Sequence, residues 1–302
     1  MCPYYLADAT PGVVWDDAPV TSEGGEGAAA GRATRPGTRQ SLAADLAALG
    51  LRSGSTVLVH SSLSELGWVA GGSVAVVQSL LDVLGPDGTL VVPTQTGANS
   101  EPSEWARPPV HEDWWQVIRA ETPGYDPLLT PSRGMGQVAE QVRTWPGAQR
   151  SAHPQSSFAA LGARAAEVVA VHELEDSLGE RSPLRTLEDM GASVLFVGTG
   201  WGTCTALHLA EYRVPGAARV TSGAAVLTAD GGRAWVEFAD VDLDEGRFPA
   251  IGADFEQDHP ELIVRGTVGT AACLLFPLAD AVAYAVPWLV AHAGDAVGPD
   301  QA

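Results

Sequence analysis

This chain is short of positive charge and of cysteine. Arginine and lysine together number 17 against 37 aspartates and glutamates, a formal charge of −20 over 302 residues. Such a balance repels a phosphate backbone and makes nucleic acid a poor partner, whereas a small polycation is drawn toward any acidic cleft. The three cysteines, Cys2, Cys204 and Cys273, are odd in number and far apart. They suit neither a disulfide framework nor a zinc-spaced cluster, so no metal site is expected and a reducing, cytoplasmic setting is. The N-terminal stretch carries Asp8, Asp16 and Asp17 and no basic segment leading into an apolar core, so it does not read as a secretory signal. A membrane span is missing too, because the apolar run at 268–293 is interrupted by Pro277, Asp280 and Pro287 and reads as a buried strand followed by a core helix. No internal repeat is visible.

What is present is a globular composition, 45% hydrophobic, with alternating strand and helix signals. A Gly/Ala-rich connection at 23–37 separates an N-terminal extension, 1–38, from one domain at 39–302. Leu42, Leu46 and Leu49 form a helical stripe stopped at Gly50. Thr56 to His60 reads as a strand, Ser73 as the cap of an apolar helix ending at Leu84, and Thr89 to Pro93 as the next strand, a βαβ unit. Helices are expected over 133–142 and 162–173. Segments 224–227 and 233–238, flanking Asp230-Gly-Gly232, read as a hairpin. The expected fold is a layered α/β/α domain with a mixed central sheet.

The most informative stretch is Gly198-Thr-Gly-Trp-Gly-Thr-Cys-Thr-Ala-Leu-His-Leu-Ala-Glu211, which follows the strand-like Ser193 to Val197. Ligands in open α/β sheets bind beyond the carboxyl ends of strands. His208 and Glu211, three apart on a helix, share one face and pair a base with an acceptor. Cys204, four residues before His208, offers a thiolate reading, weighed against a small packed hydrophobe. Two candidate ligands without a third make a weak metal site. The glycines lack the last position of a dinucleotide fingerprint, which argues against NAD. The polar junction from His60 to Ser73 leads into a helix whose free N–H groups favour an anion, equally well explained as a turn. His153, in the polar knot 150–158, reads either as a ligand contact or as a loop organiser. Alternation puts Asp240 and Asp242 on one face after the hairpin, an acidic run that matters only if His208 is near.

Together these segments resemble the aminoglycoside 3-N-acetyltransferase family, distinct from the smaller GNAT acetyltransferases. The matching text is Val59-His-Ser-Ser-Leu-Ser-Glu-Leu-Gly67 with Gly71-Gly72, and then Gly88-Thr-Leu-Val-Val-Pro-Thr94. It continues through Tyr125-Asp-Pro127, Gly134-Met-Gly136, Trp145-Pro-Gly-Ala148, Arg150-Ser-Ala-His-Pro154 and Thr205-Ala-Leu-His-Leu-Ala-Glu211, from about Arg39 onward. The resemblance implies transfer of acetyl from acetyl-CoA, without a metal, to the 3-amino group of a 2-deoxystreptamine aminoglycoside, conferring resistance. It implies a catalytic set of His208 as general base, Asp240 and Asp242 as orienting or cation-holding acids, and Thr205 as donor to the thioester oxygen. It further implies that His60, Ser61, Ser62, Gly71, Gly72 and Ser73 hold the coenzyme, and that Glu211, Asp126 and Glu104 face ammonium groups. The expected protein is a monomer or homodimer whose partners are a polycationic small molecule and acetyl-CoA. Two alternatives stay open: a non-catalytic protein that binds coenzyme A or aminoglycoside, and a thiol acyltransferase that depends on Cys204.

Overall fold

A computed structural model describes residues 31, 35–106 and 108–293. Nearly all of the expected extension and connection therefore lies outside the described residues. Gly37 is already part of the fold, exchanging backbone hydrogen bonds with Trp68 and Ala70. Helix α1 (Arg39–Leu49) begins where the Thr38 hydroxyl accepts from Ser41 N–H at 3.1 Å while the Ser41 hydroxyl accepts from Thr38 N–H at 2.9 Å. Its buried face is Leu42, Leu46 and Leu49, and it stops at Gly50 with φ 113°.

Strand β1 (Thr56–Ser61), helix α2 (Gly72–Leu84) and strand β2 (Thr89–Pro93) make the expected βαβ unit. Its helix is not capped by Ser73. Gly71 and Gly72 turn the chain with φ 90° and 54°, so the helix starts a residue earlier and Ser73 falls within its first turn, where its hydroxyl reaches Gln141 at 3.4 Å.

The chain continues through α3 (Trp115–Glu121), α4 (Gly136–Arg143), β3 (Gln149–Arg150), β4 (Phe158–Gly162), α5 (Ala165–Val169), α6 (Pro183–Asp189), β5 (Ser193–Val197) and α7 (His208–Tyr212). The hairpin is β6 (Arg219–Leu227) and β7 (Arg233–Val241), followed by α8 (Phe248–Asp258), β8 (Val264–Val268), β9 (Ala271–Pro277) and α9 (Leu278–Ala291). Two expected helices shrink. The one expected at 133–142 starts only at Gly136, and the one expected at 162–173 is reduced to Ala165–Val169, because Gly162 instead closes β4 against β2. The 268–293 run resolves into β9 and α9, and no helix among the described residues is long and apolar enough to cross a membrane.

The central sheet has the order β3-β4-β2-β1-β5-β9-β8. Its middle strands β2, β1 and β5 are parallel and its flanks antiparallel, so the sheet is mixed. Alternation along β1 sends Leu58 to one face and Val57 and Val59 to the other. The first face packs on α6 to α9 through Phe196, Leu207, Phe255 and Val282. The second packs on α1, α2 and α4 through Leu46, Leu80 and Val142. The layered α/β/α architecture is as expected. The hairpin forms a separate two-stranded sheet, fastened to the body by Asn99, whose amide pairs both ways with Ala225 at 2.8 Å.

Candidate active site

From β1 the chain steps to β2 on one side, and β5 later fills the other, so strand order reverses between β1 and β5. A crevice opens beyond the carboxyl ends of strands at such a reversal. Here it is a cleft of about 720 Å³ whose floor includes His60 and Ser61 at the end of β1, Pro93 at the end of β2 and Thr199 after β5. One wall is the turn into α2 together with Gly134 to Gln137. The other is formed by Thr205, His208, Glu245 and Phe248.

Helix α7 has only five residues, too few to be stable by itself. Burial fixes it, since Leu207, Leu209 and Ala210 are sealed in the core. His208 and Glu211 thereby stand on one face, as their spacing predicts. His208 Nδ1 lies 2.6 Å from Glu211 Oε2, both residues are nine-tenths buried, and Glu211 Oε1 accepts from Asp244 N–H at 2.9 Å. The Phe248 ring packs edge-on 4.7 Å from the imidazole. A carboxylate only accepts, so Nδ1 carries the hydrogen and Nε2 is the basic nitrogen.

Other expected site residues fall differently. Glu211, expected to face an ammonium group, is buried behind His208 and is the carboxylate bonded to it. Asp240 and Asp242, expected to orient the base or hold the cation, do not bond to His208. Asp240 is buried at the end of β7 against Tyr212 and Ser177, while Asp242 lies one residue past the strand and is exposed. Exposed Glu104 sits near Asp242. Its carboxyl is held above the usual range by partial desolvation, then by the charges of Glu101 and Asp242. Asp126 is committed to its own loop, accepting from Leu128 and Leu129 N–H at 2.8 and 3.2 Å. Glu245, the last residue of the acidic run and given no role of its own in the sequence, lines the cleft.

Of the residues expected at the coenzyme, His60, Ser61, Ser62 and Gly72 line the cleft; Gly71 and Ser73 do not. His60 Nε2 is buried without a hydrogen-bond partner. Burial, and then the charge of His208, push the His60 imidazole down to about 3, so it stays neutral. Cys204 is fully buried, which pushes its thiol up to about 12. The helix does not extend back to Cys204, where ψ is 82°, and the four-residue relation to His208 is lost. This removes the physical basis for a thiolate there. His153 is a loop organiser: its Nδ1 accepts from Gln155 and Ser156 N–H at 3.2 and 3.0 Å, and its ring stacks on His172 at 4.8 Å. Among the described residues no group of three His, Cys, Asp or Glu side chains could hold a metal ion.

Comparison with known proteins gives first the class, an acyltransferase of mixed α/β architecture. More narrowly, the chain belongs to the aminoglycoside 3-N-acetyltransferase family, whose model, described as Aminoglycoside 3-N-acetyltransferase, matches residues 58–290. It is 45% identical over 258 residues to the SPbeta prophage-derived aminoglycoside N(3')-acetyltransferase-like protein YokD of Bacillus subtilis, covering 85% of this chain and 94% of that protein. The crystal structure of YokD superposes with a TM-score of 0.86, covering 89% of this chain and 98% of that one. Aminoglycoside N(3)-acetyltransferase VII of Streptomyces paromomycinus is 38% identical, covering 89% of this chain and 96% of that protein. Two further solved structures carry ligands: AAC-IIIb with CoASH and AAC-VIa bound to sisomicin. They superpose with TM-scores of 0.75 and 0.76 at 33% and 32% identity, covering 84% and 85% of this chain and 97% and 99% of theirs.

Proposed function

We propose that this protein transfers the acetyl group of acetyl-CoA to the 3-amino group of a 2-deoxystreptamine aminoglycoside in the cytoplasm, with His208 as general base, and thereby confers resistance. One observation carries the reading: a carboxylate-backed imidazole whose basic nitrogen is left free beside a cleft of about 720 Å³. The CoASH and sisomicin complexes of relatives supply its chemical classes. A net charge of −20, with Glu245 at the cleft and Glu104 and Asp242 close to one another, suits a polycationic acceptor.

An ammonium group has no lone pair, so the acceptor first loses one proton to solvent and attacks as the neutral amine. As the amine nitrogen bonds to the acyl carbon and the carbon–sulfur bond breaks, His208 Nε2 takes the amine proton, which then returns to the departing sulfur. Glu211 holds the ring in one tautomer and stabilises the imidazolium. Thr205, nearly buried at the same wall, is placed to donate to the acyl oxygen. On the opposite wall the start of α2 offers backbone N–H groups and a helix dipole to the coenzyme's phosphates, and Gly72 keeps side-chain bulk out of the way.

The test is thiol release from acetyl-CoA across a panel of aminoglycosides, with the acetylated nitrogen assigned by NMR. Release only with a 2-deoxystreptamine amine, and a product acetylated at position 3, supports the reading. Binding without release would leave a ligand-binding protein instead.

A further inference from the structure

Helix α7 carries the base and its carboxylate, and burial of Leu209 and Ala210 fixes its apolar side. Its polar side is held from β7 and the segment after it. Asp244 N–H takes one oxygen of Glu211, and the next residue along, Tyr212, is tied to Asp240. The Tyr212 hydroxyl lies 2.6 Å from Asp240 Oδ1 and accepts from Leu178 N–H at 3.3 Å, with Ser177 Oγ at 3.1 Å. Asp240 Oδ1 also accepts from Val241 N–H at 2.8 Å, and Oδ2 from Ser177 N–H at 3.2 Å. Both oxygens of this buried carboxylate are therefore spent on the protein, which leaves it poorly suited to a substrate ammonium. Burial first, and the bond to Asp240 second, keep the Tyr212 hydroxyl protonated far above neutral pH, so it remains a donor.

A separate observation shows that the seat of the tyrosine is shaped. Gly179 runs so close to the Asp176 carboxylate and the Tyr212 ring that a methyl group there would overlap both, the carboxylate first. Ser177 is also fixed from its other side, since its carbonyl accepts from His172 Nε2 at 2.6 Å.

We propose that Tyr212 and Asp240 are a positioning pair, through which the end of the hairpin fixes the rotation of α7 and so aligns the His208–Glu211 dyad with the cleft. They touch no reacting atom. This rests on the general-base reading above, and it moves Asp240 from the reacting set to the frame that supports it.

A double-mutant cycle on the full-length protein tests the pair. Tyr212→Phe, which removes one oxygen, should lower kcat about tenfold and leave KM for acetyl-CoA within about twofold. In a Glu211→Gln background the same change should lower kcat less than twofold further, because the dyad through which it acts is already gone. Asp240→Asn should follow the same pattern. The His208 Nδ1–H proton resonance, assigned by its loss in His208→Ala, should broaden or shift in Tyr212→Phe. Unchanged kcat in Tyr212→Phe, or full multiplicative loss in the double variant with an unmoved resonance, overturns the proposal. If His208→Ala itself keeps its turnover while folded, the general-base reading has failed, and that outcome is told apart from failure of the pair alone.

Discussion

Behind the α7 wall of the cleft the polar atoms that support His208 are already paired: His208 with Glu211, Glu211 with Asp244 N–H, and Tyr212 with Asp240. On the floor, and on the segment that leads to the opposite wall, two polar groups are not. His60 Nε2 is buried without a partner, and Arg133, which leads into the Gly134–Gln137 wall, makes no side-chain contact that pairs its charge among the described residues. On the proposed reading, the contrast separates reacting groups from binding ones. Groups that must act on reacting atoms gain from being locked before substrate arrives, whereas groups that bind keep their capacity free for the ligand.

The sharpest way to break this comparison is His208→Ala, expected to lower kcat roughly a hundredfold or more, the usual scale for a positioned base. Steady-state kinetics on a variant with a native circular dichroism spectrum checks it, and near-normal turnover would remove the base from the α7 wall. A second test sets buried histidines against pH. His60 and His172 are held at about 3 and His153 at about 4, mainly by burial, against about 6.5 in an unfolded chain. The unfolded state therefore binds more protons. Stability is fully present above about pH 6.5 and is lost as pH falls toward 4 and 3, by roughly 1–2 kcal/mol per imidazole at pH 5. Thermal melts from pH 7.5 to 5 should show a falling Tm, and a flat profile contradicts this.

Smaller effects sharpen the binding wall. Arg133→Ala should raise KM for acetyl-CoA about threefold without changing kcat, the signature of uniform binding. Equal loss in kcat would instead draw Arg133 into the reacting geometry. The smallest change is expected from Cys204→Ala. It should keep activity within about twofold and lose about 1 kcal/mol of stability for the small cavity left behind. Mass spectrometry after mixing with acetyl-CoA should find no acetyl group on Cys204, whereas a kinetically competent adduct there would revive a covalent route.

The legible features were those whose cause is short-range. The Leu42, Leu46 and Leu49 stripe, the β1–α2–β2 unit, the Asp230-Gly-Gly232 turn and the three-residue step from His208 to Glu211 each follow from periodicity or local backbone preference. Ser73 misled because two glycines ahead of it supplied the turn that a capping side chain otherwise would. The helix expected at 162–173 misled because pairing of Gly162 with Thr89, far away in sequence, took the residue into a strand.

By itself, then, the sequence determined the layered α/β class, the strand that leads into the glycine-rich turn, and a dyad that lies within one helical turn. Only the tertiary structure decided which partners each acid meets. Glu211 reaches His208 by helical spacing, but Asp240 meets Tyr212 only because the hairpin folds back over 28 residues of chain, and Glu245 lines the cleft on the turn ahead of Phe248, whose ring packs on His208. Carboxylates are chemically alike, so their roles are assigned by burial and by the donors around them, and those depend on long-range packing that no local pattern encodes.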